Sequence, residues 1–329
     1  MKRPRISIAM ATYNGAKYLL EQLESFSTQT QLPDELIVCD DGSTDQTLKI
    51  LENFSKTASF PVRIYCNENR LGFAANFGRA MSLCSGDVIF LSDQDDYWLN
   101  NKIECVYANF KEHPDAWVII NDAEITDESL HLTGLTVLGQ LISAGFNADN
   151  LINGCCSAYR RKILPVLLPV PVATHYHDGW LHLLGSSLSC RKVIKKTLQY
   201  YRRHDKNTSN YVTNSTSQTS RLKLLLSTFA EKNRRQEPIQ ACEKRLLQLN
   251  TFRGRLEENS AFLTSNLPFP SAVEKTLFHI DYLIRANVAR KTILLQRLPF
   301  RLPAAVRFYF LGGYKSFEGL KSFAKDVLR

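Results

Sequence analysis

The feature that most constrains this 329-residue chain is an alternation in its first third, where short apolar runs give way to segments of helical periodicity and each run ends in a polar loop. Residues 5–11, 35–39, 62–66, 87–91 and 116–120 read as strands, and residues 17–29, 44–54, 73–84 and 101–110 as helices. Leu19, Leu20, Leu23 and Phe26 share one face of the first helix, and Ser43 with Gln46 has the spacing of a capping box ahead of the second. Apolar strands alternating with helices of this length predict an α/β fold: a mostly parallel sheet flanked by helices. Ligands of such sheets gather beyond the carboxyl ends of the strands. Three polar loops fall there: Thr12-Tyr13-Asn14, Asp40-Asp41, and Asp93-Gln94-Asp95-Asp96.

Carboxylates crowded at one strand end repel each other unless a cation offsets them, so Asp93, Asp95 and Asp96 read as a site for Mg²⁺ or Mn²⁺, which take hard oxygen ligands. The plainer reading is an exposed acidic turn. Asp40-Asp41 before Gly42 has ordinary turn chemistry, and gains meaning only beside the second acidic strand end, as a contact to a base or ribose.

The rest of the chain is less regular. Residues 122–150 read as a long mixed loop on the acceptor side, 154–160 and 193–201 as strands, 177–188 as a helix, and 206–220, rich in Ser, Thr and Asn, as a linker. Residues 221–263 and 272–328 read as basic helices, so residues 1–210 are expected to form a catalytic domain and 211–329 a basic helical region. The charge is divided the same way. Residues 1–150 hold 11 Lys/Arg against 21 Asp/Glu, and the remainder 30 against 11. The basic helices suit either packing on the catalytic domain or contact with an anionic membrane surface. No nucleic-acid-binding module accompanies the charge, and nucleic acid is not an expected partner.

The eight cysteines form no Cys-x-x-Cys pair and read as buried thiols of a reducing compartment. Residues 1–5 lead into the first strand without an apolar signal core, and no apolar stretch reaches the ~18 residues needed to span a bilayer. The expectation is a cytoplasmic protein, soluble or peripheral on the inner face of the cytoplasmic membrane.

The order of Ile6-Ser-Ile-Ala-Met-Ala-Thr-Tyr-Asn, Gln29-Thr30, Asp40-Asp-Gly-Ser-Thr-Asp, Asn67 through Asn76, and Ser92-Asp-Gln-Asp-Asp-Tyr-Trp resembles the family 2 glycosyltransferases, whose fold is of GT-A type with a nucleotide-sugar-binding sheet. The form Asp93-Gln-Asp-Asp-Tyr-Trp, with Tyr201-Arg-Arg-His-Asp-Lys-Asn later, is most similar to the bacterial rhamnosyltransferase branch that builds surface polysaccharides. The resemblance implies a nucleotide-sugar donor, such as dTDP-L-rhamnose, and a saccharide or polyprenyl-linked acceptor. It puts Thr12 and Tyr13 on the donor with Tyr13 stacked on the base, Asp41 hydrogen-bonded to the base, Asp93 on ribose or metal, and Asp95 on metal. Asp178 in His177-Asp-Gly-Trp matches the usual position of the general base, and is equally placed to cap a helix. His204 matches a late metal ligand, with Arg202, Arg203 and Lys206 near the diphosphate. His175, His177 and His182 receive no role.

A sugar nucleotidyltransferase would carry a Gly-rich, Arg-bearing loop where this chain has Thr12-Tyr-Asn-Gly, and a dinucleotide-dependent oxidoreductase would carry G-x-G-x-x-G there. An inactive nucleotide-sugar-binding or scaffold protein remains the alternative from another class. The Gln-x-x-Arg-Trp element of processive synthases is missing, which favours addition of single sugars.

Overall fold

The computed structural model describes residues 3–171, 177–207, 214–221, 223, 238–267, 269–317 and 319–327. The chain divides into two compact units, residues 1–231 and 232–329.

The first unit is built on a nine-stranded mixed sheet. Four parallel strands come first: β3 (Val62–Cys66), β2 (Glu35–Asp40), β1 (Ile6–Thr12) and β4 (Val88–Ser92). Every residue of β2 and β4 is buried, as expected of central strands covered on both faces. Register matters more than content here. Thr12 lies opposite Asp40 and Met10 opposite Ser92, so the loops after β1, β2 and β4 emerge on the same edge.

Beyond β4 the parallel pattern breaks. β8 (Ser157–Arg160) runs antiparallel between β4 and β6 (Val118–Thr126), and β9 (Arg191–Arg202) returns parallel to β6. The two-residue strand β5 (Tyr97–Trp98), directly after the acidic loop, pairs antiparallel with β9 through Tyr97–Tyr200 and Trp98–Gln199. The expected parallel sheet is thus its β3–β2–β1–β4 half, joined to a mixed half.

Helices α1 (Leu19–Ser27), α2 (Thr47–Thr57), α3 (Phe73–Leu83) and α4 (Lys102–Glu112) fill the connections. On α1, Leu19, Leu23 and Phe26 are buried while Leu20 is half exposed, and Phe26 meets Trp98 edge-on at 4.8 Å. The expected capping box does not form. Asp45 accepts the backbone N–H of Thr47, and the Ser43 hydroxyl turns back to Asp40.

Residues 122–150 are not one open loop. They complete β6, fold back as β7 (Leu132–Thr136) against it, and continue into α5 (Val137–Ser143), capped by the Thr136 hydroxyl. Ile125, Val137, Leu138 and Leu141 share a second apolar cluster with Tyr201. Elements this short carry too few residues to display a period. After the one-turn helix α6 (Leu164–Leu167), α7 (His177–Ser187) leads into β9. The expected linker lies partly outside the described residues.

The second unit is helical: α8 (Pro238–Glu258), α9 (Ser260–Asn266), α10 (Ser271–Leu295), α11 (Leu298–Phe310) and α12 (Leu320–Val327). Arg253–Asp281 and Lys291–Glu243 ion pairs, 2.8 and 2.7 Å, link α8 to α10. Arg290 makes two 2.8 Å bonds to the buried Asp326, which also accepts from the Tyr314 hydroxyl. Among the described residues no helix is long and apolar enough to cross a membrane.

Candidate active site

The three strand-end loops open into one cleft of about 1550 Å³, lined also by Gly154, His177, Asp178 and His204. Small-ligand pockets typically hold about 300–1,000 Å³, so this one has room for more than a single sugar nucleotide.

The loop after β1 is braced to both of the others. The backbone N–H of Tyr13 donates to the Gln94 side-chain oxygen at 2.9 Å and the Gln94 amide donates to the Tyr13 carbonyl at 3.1 Å, joining the loops after β1 and β4. A Cβ at Gly15 would stand 2.2 Å from that same Gln94 oxygen and would displace the side chain that makes both bonds. The Thr12 hydroxyl donates to Asp40, and Asp40 also accepts from Gly42, the Ser43 backbone and the Ser43 hydroxyl. Asp41, 3% exposed, accepts from the Asn67 amide and from the backbone N–H groups of Leu71 and Gly72 at 2.7–2.8 Å. Thr12, Tyr13 and Asp41 all line the cleft, and the Arg70 guanidinium lies 3.9 Å over the Tyr13 ring.

The third loop is the opposite case. Burial, then the neighbouring Asp95 and Asp96 charges, push the Asp93 carboxyl well above the usual carboxylate range. Burial and Asp95 push Asp96 up to about 7. Asp96 faces inward, accepting from the Gln199 amide at 2.9 Å and the Arg202 backbone at 3.2 Å. Behind it the buried Lys102, lowered to about 8 by burial, donates to Gln199 and to the Cys155 carbonyl. Asp93, Asp96 and Cys155 offer ligand atoms within 4.8 Å of one another, yet Asp96 and Cys155 do not line the cleft, whereas Asp93, Asp95 and His204 do.

His204 Nε2 stands 2.9 Å from Asp95 Oδ2, and its ring stacks on Tyr18 at 4.8 Å. Two ligands at about 2.1 Å from an octahedral ion and at right angles to each other stand about 3 Å apart, so the donor set of Asp95, His204 and the cleft-facing Asp93 fits Mg²⁺ or Mn²⁺. The Lys206 backbone N–H donates to His204 Nδ1 at 3.2 Å, which puts the proton of the neutral ring on Nε2. To serve as a ligand through Nε2, the His204 ring would carry its proton on Nδ1 instead and would give up the Lys206 contact.

Arg202 departs from its expected place at the diphosphate. It is 2% exposed and spent on the fold: its guanidinium donates to the Asp95 and Glu128 carbonyls, pairs with Glu21, and lies 4.6 Å over the Tyr18 ring. It therefore braces the loop that carries Asp95. Arg203 lies 5.6 Å over the Tyr201 ring and is not among the cleft-lining residues either. Among the described residues the cations that line the cleft are Lys17, Arg70 and Lys206, of which Lys17 is paired with Glu128 at 2.8 Å.

Asp178 sits in the first turn of α7, lines the cleft, accepts the Gly179 N–H at 2.7 Å, and is close enough to Asp93 to raise its proton affinity. His177, given no role by its sequence context, lines the same wall. It is 7% exposed, stacked on Phe77 at 4.3 Å with Phe73 edge-on, and among the described residues neither ring nitrogen has a hydrogen-bond partner. Burial lowers its pKa and keeps it neutral. A Cβ at Gly154 would come 2.7 Å from its Nε2. The one sequence signal for it was adjacency to Asp178. His182 is a core residue, bonded to the buried Ser157 hydroxyl at 2.8 Å, and His175 lies outside the described residues.

Residues 7–167 match the family model described as Glycosyl transferase family 2. An uncharacterized protein of Mycobacterium tuberculosis is 27% identical over 205 residues, which cover 60% of this chain and 59% of that protein's length. An Escherichia coli UDP-Glc:alpha-D-GlcNAc-diphosphoundecaprenol beta-1,3-glucosyltransferase is 29% identical over 198 residues, 58% of this chain and 76% of the enzyme. Among solved structures, S. aureus TarS 1–349 in complex with UDP-GlcNAc superposes with a TM-score of 0.55 at 16% identity, covering 95% of this chain and 89% of that one, a likeness of fold. The strand order and the three converging loops agree with that sequence match, which makes residues 7–167 similar to the Glycosyl transferase family 2 domains.

Proposed function

We propose that this chain is a metal-dependent inverting glycosyltransferase that moves one sugar from a nucleotide-sugar donor to an acceptor hydroxyl. The observation that carries the reading is the meeting, in one cleft, of Tyr13 and Asp41 at one wall, Asp93, Asp95 and His204 at the strand ends, and Asp178 at the start of α7. Tyr13 offers a stacking face for the base, with Arg70 able to close over it, and Asp41 holds the loop beside it. Asp95 and His204, with Asp93, would hold Mg²⁺ or Mn²⁺, which supplies positive charge to the donor diphosphate when bound. Lys206 and Arg70 are the cleft cations, among the described residues, left to stabilise the leaving diphosphate. The Asp178 carboxylate takes the proton of the acceptor hydroxyl as that oxygen bonds to the anomeric carbon. The bond from that carbon to the diphosphate breaks on the opposite face, and the nucleoside diphosphate leaves with the electron pair.

The donor proposed first is dTDP-L-rhamnose, on the Asp93-Gln-Asp-Asp-Tyr-Trp form of the acidic loop. UDP-sugars come second, on the substrate named for the E. coli relative. The acceptor is a saccharide or a polyprenyl-linked saccharide of surface polysaccharide synthesis, the second of which the chain would meet at a membrane. Incubating the protein with a set of nucleotide sugars, with and without Mn²⁺, should release nucleoside diphosphate from one donor only when the metal is present. Release that chelation does not reduce, or none from any donor, would sink the proposal. Asp178→Asn should bind donor as before and lower transfer by about 10²-fold or more. Near-normal transfer would remove Asp178 as the base.

A further inference from the structure

The outward face of α11 in the second unit gathers large exposed apolar side chains. At about 100° per residue Pro299, Phe300, Pro303, Arg307, Phe310 and Leu311 share one side of the helix, while Ala305 on the other side is buried. Phe300 is 71% exposed, Phe310 83% and Leu311 74%. Soluble surfaces carry single apolar residues freely, but two phenylalanines and a leucine gathered on one exposed helix face mark a contact surface.

Charge says what covers it. Residues 282–317 contain seven Lys/Arg and not one Asp or Glu. Of these, Arg285, Arg290, Lys291 and Arg301 are engaged inside the unit by carbonyls or acids. Arg297, Arg307 and Lys315 have no acidic partner among the described residues, and they lie before, within and after α11. An apolar helix face ringed by uncompensated cations is complementary to the headgroup layer of an anionic bilayer. There phenylalanine and leucine enter the acyl boundary, while arginine lays its stem along the apolar layer and keeps its head at the phosphates. We propose that α11 docks on an anionic lipid surface, with Phe300, Phe310 and Leu311 inserted and Arg297, Arg307 and Lys315 on the headgroups. The inference stands on the second unit alone and does not depend on the chemistry of the cleft.

The test is co-sedimentation of the full chain with phosphatidylcholine vesicles, with and without phosphatidylglycerol. Binding should be at least about tenfold tighter to the anionic vesicles and weaken with salt. The combined Phe300→Ser, Phe310→Ser and Leu311→Ser variant should lose about 30-fold or more in affinity. Because those side chains are exposed, it should keep the wild-type Tm. Arg307→Glu alone, a surface change that leaves the apolar residues in place, should cost about tenfold on anionic vesicles only. Equal binding to both vesicle types, binding by the variants as tight as wild type, or no binding by the wild type would overturn the proposal. So would a dimer in solution that the same substitutions dissolve, which assigns the face to a second copy of the chain. None of these outcomes touches the transfer reaction, whose own assay uses no lipid.

Discussion

The loops after β2 and β4 both present adjacent acids at the end of a buried strand, yet the fold treats them in opposite ways. Asp40 and Asp41 are met by donors from the protein: hydroxyls of Thr12 and Ser43, an amide from Asn67, and backbone N–H groups at Gly42, Ser43, Leu71 and Gly72. Asp93 is met chiefly by burial and neighbouring acids, and Asp96, although it accepts from the Gln199 amide and the Arg202 backbone, is buried beside Asp95; the proton affinity of both is raised. The first loop is finished by the chain itself and acts as a frame. The second is left with a charge deficit that a ligand can remove. Strand-end acids in a sequence are therefore not one signal, and the number of hydrogen-bond donors aimed at them separates scaffold from site.

The largest expected consequence of that contrast is in the second loop. Asp95→Asn should lower metal-dependent turnover by about 10³-fold while Tm stays level or rises, since it removes repulsion rather than support; turnover and Mn²⁺ titration read it out. In the first loop the order reverses. Asp41→Asn turns an acceptor of three donors into a group with a donor of its own, and should cost about 1–3 kcal/mol of stability, a fall of about 3–8 °C in Tm, with a weaker donor KM. If Asp41→Asn left Tm unchanged, the distinction between frame and site would fail.

A third measurement uses pH. Asp93 and Asp96 carry folded-state proton affinities above the unfolded value near 4, so the folded protein holds protons that the unfolded chain has already released. Their contribution is present below that window and is lost as pH rises through about 7 for Asp96. Without divalent cations the protein should be less stable at about pH 8 than at about pH 6, by roughly 1 kcal/mol from Asp96, and Mn²⁺ should narrow the gap. A gap that Mn²⁺ widens would contradict the picture. The smallest effect concerns His177, whose two nitrogens find no partner among the described residues and make it a further unfinished group in the cleft wall. His177→Phe should raise Tm by about 2–4 °C, because an apolar ring of similar shape leaves nothing unpaired, and lower turnover about fivefold. A fall in both would reassign the ring to plain packing.

Much of this was open to reading from the chain alone. The four parallel strands were within a residue of their observed ends because their apolar runs are continuous and closed by polar loops. The residues lining the cleft at Thr12, Tyr13, Asp41, Asp93, Asp95, Asp178 and His204 followed from where those loops fall and from family resemblance. What stayed hidden depends on contacts distant in sequence. Nothing local in residues 157–160 says that they enter between β4 and β6, and nothing near Arg202 says that Glu21 and two carbonyls will take it inside, so a run of cations read as a surface for phosphate. Nothing local to Gln94 says that its partner is the backbone of Tyr13, 81 positions away.

The pairing of β5 with β9 has a practical corollary. Asp95 and His204 are 109 positions apart and are brought to 2.9 Å by strands that flank them, while the family match stops at residue 167. A chimaera spliced at that boundary with a relative's distal segment would inherit one side of the Asp95–His204 pair from each parent. Grafts meant to alter sugar choice should be joined after residue 207, so that donor recognition is exchanged without mixing the two parents' halves of the pair.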